Sequence, residues 1–156
     1  MASDGTAKVG AKPDWLVATG AWLLENGHRL LLTVTGGRFP TSMLGMQVVE
    51  LETIGRKSGL PRKTLLSSPI NDAGRVVVIA SKGGYQDDPQ WYKNLVANPE
   101  VKIHLDGEVL DMRARTATGE ERRALWQQAV ATYRGYAGYQ KNTNREIPVV
   151  VCERTN

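Results

Sequence analysis

The run Glu52–Arg62, E-T-I-G-R-K-S-G-L-P-R, gathers cations around a turn. Arg56, Lys57 and Arg62, with Lys63 adjacent, surround Gly55, Ser58, Gly59 and Pro61, directly after the apolar-alternating run Met46–Leu51. Backbone N–H groups in a glycine-containing turn can form an anion-binding nest, and arginine forks match phosphate or carboxylate oxygens bidentately. The chemistry on offer is capture of an anionic ligand tail. A solvated basic hairpin turn explains the same residues equally well, because basic clusters are common on protein surfaces.

Two further segments carry chemistry. Ser81-Lys82-Gly83-Gly84 precedes Pro89-Gln90-Trp91-Tyr92-Lys93-Asn94. The glycines let a planar ligand lie against the backbone, and a following helix N-terminus attracts negative charge. An ordinary strand–turn–helix link with Trp91 as a core anchor is the competing explanation. Tyr133, Tyr136 and Tyr139 recur every third residue, which places their hydroxyls on one side. Such rings suit a cofactor or substrate pocket, or an amphipathic stripe over a core. Gly135 and Gly138 between them favour a mobile segment over a rigid helix.

Other chemistries lack residues. His28 and His104 stand apart from any second histidine or cysteine at ligand spacing, so no metal site is expected. Neither a G-x-S-x-G elbow nor a P-loop occurs. Cys152 lies in an apolar run and reads as a buried structural thiol. Asp87 and Asp88 read as helix caps.

The elements that must position these residues follow from periodicity. Residues 1–13 read as a disordered tail and 14–156 as one domain. Asp14 caps a helix carrying Trp15, Ala18, Trp22, Leu23, Leu30 and Val34 at roughly helical spacing, and Thr41–Gly45 is a loop. Strands are expected at Gln47–Thr53, Arg62–Pro69 and Arg75–Ser81, with a turn at Asn71–Gly74. A short helix over Trp91, Leu95 and Val96 stops at Asn98-Pro99. Val101–Leu105 and Val109–Ala117 form a hairpin across Asp106-Gly107. Thr118 and Glu121 have capping-box spacing for a helix ending near Tyr133, and Ile147–Glu153 is a last strand. Strands cluster in hairpins rather than alternating with helices. The fold class is therefore α+β, a small barrel of mainly antiparallel strands with an N-terminal helix and two further helices. The formal net charge of +4 favours acidic ligands, while 41% hydrophobic and 23% charged residues mark a globular chain.

Five motifs in order, I-G-R-K-S-G-L-P-R (Ile54–Arg62), I-A-S-K-G-G (Ile79–Gly84), P-Q-W-Y-K-N-L-V-A-N-P-E-V (Pro89–Val101), Y-R-G-Y-A-G-Y-Q (Tyr133–Gln140) and I-P-V-V-V-C-E (Ile147–Glu153), closely resemble the deazaflavin-dependent nitroreductase family of actinobacteria. These are split-barrel flavin/deazaflavin oxidoreductases. The resemblance implies a split β-barrel that binds coenzyme F-420, a two-electron hydride carrier with a polyanionic tail of a phosphodiester and an oligoglutamate chain. It implies that Arg56, Lys57 and Arg62 supply counter-charge to the tail and that Ser58, Thr64 and Leu65 also contact the coenzyme. It also implies that Ile79, Ala80, Ser81, Lys82, Gln90, Trp91, Tyr92 and Asn94 line the ring system. Ser81, Tyr133, Tyr136 and Tyr139 would border the acceptor and act on it, with Tyr136 also touching the coenzyme. Lys63-Thr64-Leu65 and Gln90 depart from residues common in relatives.

The expected function is hydride transfer from reduced coenzyme F-420 to an electron-poor small molecule: a quinone, an activated enone or lactone, or a nitroaromatic. The alternatives are a non-catalytic deazaflavin carrier and an FMN- or haem-binding protein on the same barrel. A nucleic-acid partner is not expected, because aromatics do not interleave the basic turn. The expected location is the cytoplasm, with peripheral membrane contact through the N-terminal helix, where Trp15, Trp22 and Leu30–Leu32 sit among Lys12, Arg29 and Arg38.

Overall fold

The computed structural model describes residues 42–43, 45–72 and 74–155. The expected tail, the helix from Asp14 and its membrane contact lie outside these residues. The strands are β1 (Ser42–Met43), β2 (Met46–Ile54), β3 (Pro61–Ser68), β4 (Ile70–Asp72), β5 (Arg75–Ile79), β6 (Glu100–Leu105), β7 (Glu108–Thr116) and β8 (Val149–Arg154). The helices are α1 (Gln90–Ala97), α2 (Gly119–Thr132) and α3 (Gly135–Lys141), with a 3-10 turn at Lys82–Gly84.

Every strand pairing is antiparallel. The sheet runs β1-β2-β6-β7-β8-β5-β4, and β3 pairs with β2. This is the split β-barrel of the expected α+β class. The β6–β7 turn shows why the sequence folds this way: Asp106 and Gly107 adopt φ of 50° and 80°, the left-handed pair that a two-residue hairpin demands. Where β3 meets β5 the wall is closed by a side chain. Buried Ser68 Oγ lies 2.9 Å from the carbonyl oxygens of both Ile70 and Val77, so one hydroxyl proton is shared between two strands.

Strand alternation makes β5 and β8 two-faced. Val76, Val78 and Ala80, with Val150 and Cys152, join Val49, Leu51, Ile103, Trp91 and Leu95 in the barrel interior. Val77, Ile79, Val149 and Val151 face the other way, against Leu125, Ala129 and Tyr136 of the α2–α3 layer.

Several expectations need correction. Ile70–Asp72 is a short strand, since it extends the sheet beside β5. The expected loop Thr41–Gly45 contains β1. Thr118 precedes α2 without a side-chain cap, and Glu121, the other member of the expected capping box, pairs with Arg115 at 2.5 Å instead. Neither Asp87 nor Asp88 caps α1: Asp87 pairs with Lys93 at 2.9 Å and Asp88 with Arg145 at 2.9 Å. The tyrosine segment is helix α3, a third helix among the described residues.

Candidate functional site

The basic turn is built by backbone bonds before any ligand is considered. Gly55 N–H donates to the Leu60 carbonyl at 2.8 Å, and Gly59 N–H to the Gly55 carbonyl at 2.8 Å. Gly59 has φ of 70°, and a Cβ on Gly55 would lie 2.6 Å from Ser58 Oγ. Glycine is thus favoured at Gly59 by its backbone conformation, and a side chain at Gly55 would displace the Ser58 hydroxyl. Ser58 Oγ accepts from Leu60 N at 3.2 Å and from Arg62 Nη2 at 3.4 Å, tying the two arms of the turn.

Helix α1 holds the first arginine. Buried Asn94 Oδ1 accepts from both Arg56 N, at 3.2 Å, and Arg56 Nη1, at 3.0 Å. Its Nδ2 donates to Thr53 Oγ1 at 3.3 Å, which fixes the amide's orientation. Gln90 Oε1 accepts from Arg56 Nη2 at 2.9 Å. A guanidinium has five N–H donors, so Arg56 keeps donors for a ligand after making these bonds.

Turn and helix enclose a cleft of about 360 Å³ lined by Gly55, Arg56, Lys57, Ser58, Arg62, Lys63, Thr64, Gln90, Trp91 and Asn94. No carboxylate lines it. Lys63 alone among its cations is neutralised, by Glu50 at 3.2 Å and Glu52 at 3.9 Å. A second cleft of about 260 Å³, between the β4–β5 and β6–β7 hairpins, sets Asp106 and Glu108 beside Arg75 and Arg154. Its mixed charge offers an anion no comparable field.

Not every expected residue reaches the cationic cleft. Leu65 points to the opposite face of β3 from Thr64 and is buried there. Tyr92 turns its hydroxyl to Thr116 Oγ1 at 2.9 Å. The side chains of Ile79 and Ala80 are buried in the two cores, leaving only their backbone for a ligand. Ser81 is half-buried, and its hydroxyl caps nothing in the following turn. Lys82 adopts φ of 45° ahead of Gly83 and Gly84 at 63° and 85°, a left-handed run that is strained for lysine.

The tyrosines form one cluster, Tyr133 at the C-terminal end of α2 and Tyr136 and Tyr139 on α3. Tyr133 and Tyr136 rings meet edge to face at 5.3 Å, and the Tyr133 and Tyr139 hydroxyls lie 3.3 Å apart. Tyr136 is buried and donates to Met46 Sδ at 3.4 Å. Burial raises its phenol well above the usual tyrosine range, and burial with the Tyr133 hydrogen bond pushes Tyr139 up to about 12. Both are neutral hydrogen-bonding groups near pH 7. The cluster touches the Ser81–Gly84 loop: a Cβ on Gly84 would lie 2.6 Å from the Tyr139 carbonyl.

Sequence reading missed the Arg145–Gln86 network. Arg145 donates to three backbone carbonyls and Asp88, while Gln86 Oε1 accepts from Thr143 Oγ1 at 3.0 Å and Asn144 N at 3.2 Å. A lone arginine in N-T-N-R-E carries no signal that it is the centre of a network. Among the described residues no group of three or more His, Cys, Asp or Glu could hold a metal, and no helix is long and apolar enough to cross a membrane.

The sequence model of the family described as "F420H(2)-dependent quinone reductase" matches residues 26–154. The chain belongs to that family. An "F420H(2)-dependent quinone reductase" of Mycobacterium tuberculosis is 36% identical over 107 residues, 67% of this chain and 71% of its own length. A solved "F420-H2 Dependent Reductase" is 42% identical with a TM-score of 0.62, covering 68% of this chain and 93% of that one. A second solved chain, described as a domain-swapped dimer, is 37% identical with a TM-score of 0.65, covering 86% of this chain and 99% of that one.

Proposed function

We propose that this family member is an oxidoreductase passing hydride from reduced coenzyme F-420 to electron-poor acceptors, quinones foremost. One observation carries the reading: a cleft lined by Arg56, Lys57 and Arg62 with no carboxylate among its lining residues, Lys63 alone being paired with acids behind it. The tail of the coenzyme is polyanionic, so the donor set fits it. Lys57 and Arg62 offer their charge directly, while Arg56 offers its remaining donors in a place fixed by Asn94 and Gln90. Ser58 and Thr64 supply hydroxyls at the same cleft.

When bound, the reduced deazaflavin supplies hydride from ring C5; the protein supplies place and polarity. In this reading Trp91, Gln90 and the backbone of Ile79–Lys82 bound the ring space, and Ser81 supplies a hydroxyl beside it. The Tyr133 and Tyr139 hydroxyls share one hydrogen bond, which leaves one O–H to donate to the acceptor oxygen as negative charge develops there. Tyr136 supplies a wall. Holding donor and acceptor face to face contributes to the rate by converting a bimolecular encounter into a positioned one.

The test is a parallel titration of purified protein with coenzyme F-420, FMN and NADPH, followed by menadione turnover with whichever ligand binds. Coenzyme F-420 binding with turnover supports the reading. Binding without turnover would make the protein a carrier, and preference for FMN or bound haem would replace the coenzyme. We further propose one domain over 14–156 after a short tail, cytoplasmic, with peripheral membrane contact through residues 14–34. Vesicle co-sedimentation of the full chain and of a form starting near Thr41 tests the contact, and equal, negligible sedimentation of both would exclude it.

A further inference from the structure

Arg145 lies between α3 and β8, with its side chain only 14% exposed. Its guanidinium meets four groups. Nε donates to the Tyr85 carbonyl at 2.8 Å, and Nη1 to Asp88 Oδ1 at 2.9 Å. Nη2 donates to the carbonyls of Ala80 at 3.1 Å and Ser81 at 2.9 Å. These acceptors bracket the left-handed run Lys82–Gly84 on both sides. Such a run persists only where surrounding contacts over-determine it. Here they do: Arg145 pins its entry and exit, and Gly84 abuts the Tyr139 carbonyl. Asp88 lies just before α1, the helix that carries Gln90 and Asn94 of the cleft. One side chain thus links the Ser81 loop, the approach to the cleft helix and the segment leaving the tyrosine helix.

We propose that Arg145 is a positioning residue for hydride transfer. By fixing the carbonyls of Ala80, Ser81 and Tyr85 it sets where the Ser81 hydroxyl and backbone stand relative to the deazaflavin ring. This rests on the coenzyme reading above. It separates two properties: tail affinity comes from the basic cleft, which Arg145 does not line, whereas transfer geometry comes from the loop. A lysine keeps the charge but has no planar fork to span four acceptors.

The wild type, Arg145→Lys and Arg145→Ala are compared for melting temperature, Kd of oxidised coenzyme F-420 by fluorescence, and kcat with menadione at saturating coenzyme. Both variants are expected to keep Kd within about threefold while kcat falls by at least about tenfold, since small misplacement of reacting groups costs rate steeply. The absorbance band of the bound coenzyme shifts as its surroundings loosen. Millimolar guanidinium chloride restores part of the kcat of Arg145→Ala and leaves the wild type unchanged. Should Arg145→Ala not fold, Arg145→Lys with Asp88→Asn carries the comparison. Wild-type kcat in folded variants would overturn the inference, as would equal losses of affinity and rate that track melting temperature. A wild type that neither binds nor turns over would overturn the coenzyme reading itself, and the inference with it.

Discussion

The Tyr136 hydroxyl donates to Met46 Sδ at 3.4 Å, so the central tyrosine of the three directs its polar end into the core. Met46 opens β2 and is itself buried. A thioether is a weak acceptor, but it satisfies a phenol that burial has cut off from water. In the proposed reading the polar role at the acceptor end then passes to Tyr133 and Tyr139.

Substituting each ring in turn checks this division. Tyr136→Phe is expected to change menadione kcat by less than about threefold and stability by no more than about 1 kcal/mol, because only one weak hydrogen bond is lost. Tyr133→Phe is expected to lower kcat about tenfold or more with little effect on coenzyme Kd, as for loss of a donor to developing charge. Steady-state kinetics beside thermal melts decides it. A larger loss in Tyr136→Phe than in Tyr133→Phe would reverse the assignment.

At the other end, Lys57→Ala and Arg62→Ala should each weaken coenzyme binding by about 1.5–3 kcal/mol while leaving kcat at saturation near wild type. Arg56→Ala should cost at least as much, since it also strips Asn94 and Gln90 of their partner. Raising salt should weaken wild-type binding more than it weakens the variants. Fluorescence titration at two ionic strengths reads this out, and unchanged affinity in all three variants would remove the tail from the cleft.

Asn94 is the support whose loss should be felt furthest. Asn94→Ala leaves Arg56 N and Thr53 Oγ1 without their amide partner in a buried place. The expected cost is about 1–3 kcal/mol of stability, together with weaker coenzyme binding. Chemical denaturation and the same titration measure both. Loss of stability with intact affinity would show that Arg56 holds its place unaided.

High pH should unfold the protein through its buried acids. Burial pushes the Cys152 thiol from 9.0 up to about 12, and Tyr139 rises from 10.0 to about 12. Groups whose pKa is higher folded than unfolded bind protons more tightly in the native state. Their contribution is complete below the unfolded values and is lost as pH rises from about 9 through about 12. Melting temperature should therefore be flat from these groups between pH 6 and 8 and fall steeply above pH 9. In Cys152→Ala the fall should begin later.

The sheet was legible in the sequence because its signals are local. Asp106-Gly107 specifies a two-residue turn whatever surrounds it, and the strands on either side alternate as a half-buried sheet must. The cationic turn was equally plain, since Arg56, Lys57 and Arg62 lie within one hairpin. Helix α3 was harder to read, as Gly135 and Gly138 speak against a helix. Tertiary packing decides there: the edge-to-face rings hold the segment, and a Cβ on Gly135 would overlap the Tyr133 ring. Capping at Asp88 and Glu121 misled for a related reason. Each carboxylate has an arginine partner, Arg145 and Arg115, that sequence spacing does not bring near it. The centrality of Arg145 was invisible because all its acceptors but one are carbonyls, which every residue possesses.

The two-faced strands β5 and β8 have an evolutionary consequence. Val76, Val78, Val150 and Cys152 belong to the interior that backs Trp91 and the cleft, while Val77, Val149 and Val151 belong to the layer under the tyrosines. If the tyrosines border the acceptor as proposed, a library confined to the second set, with α2 and α3, should reshape selectivity while leaving coenzyme affinity in place. Descendants of one ancestor can thus diversify in diet while keeping a common currency of electrons.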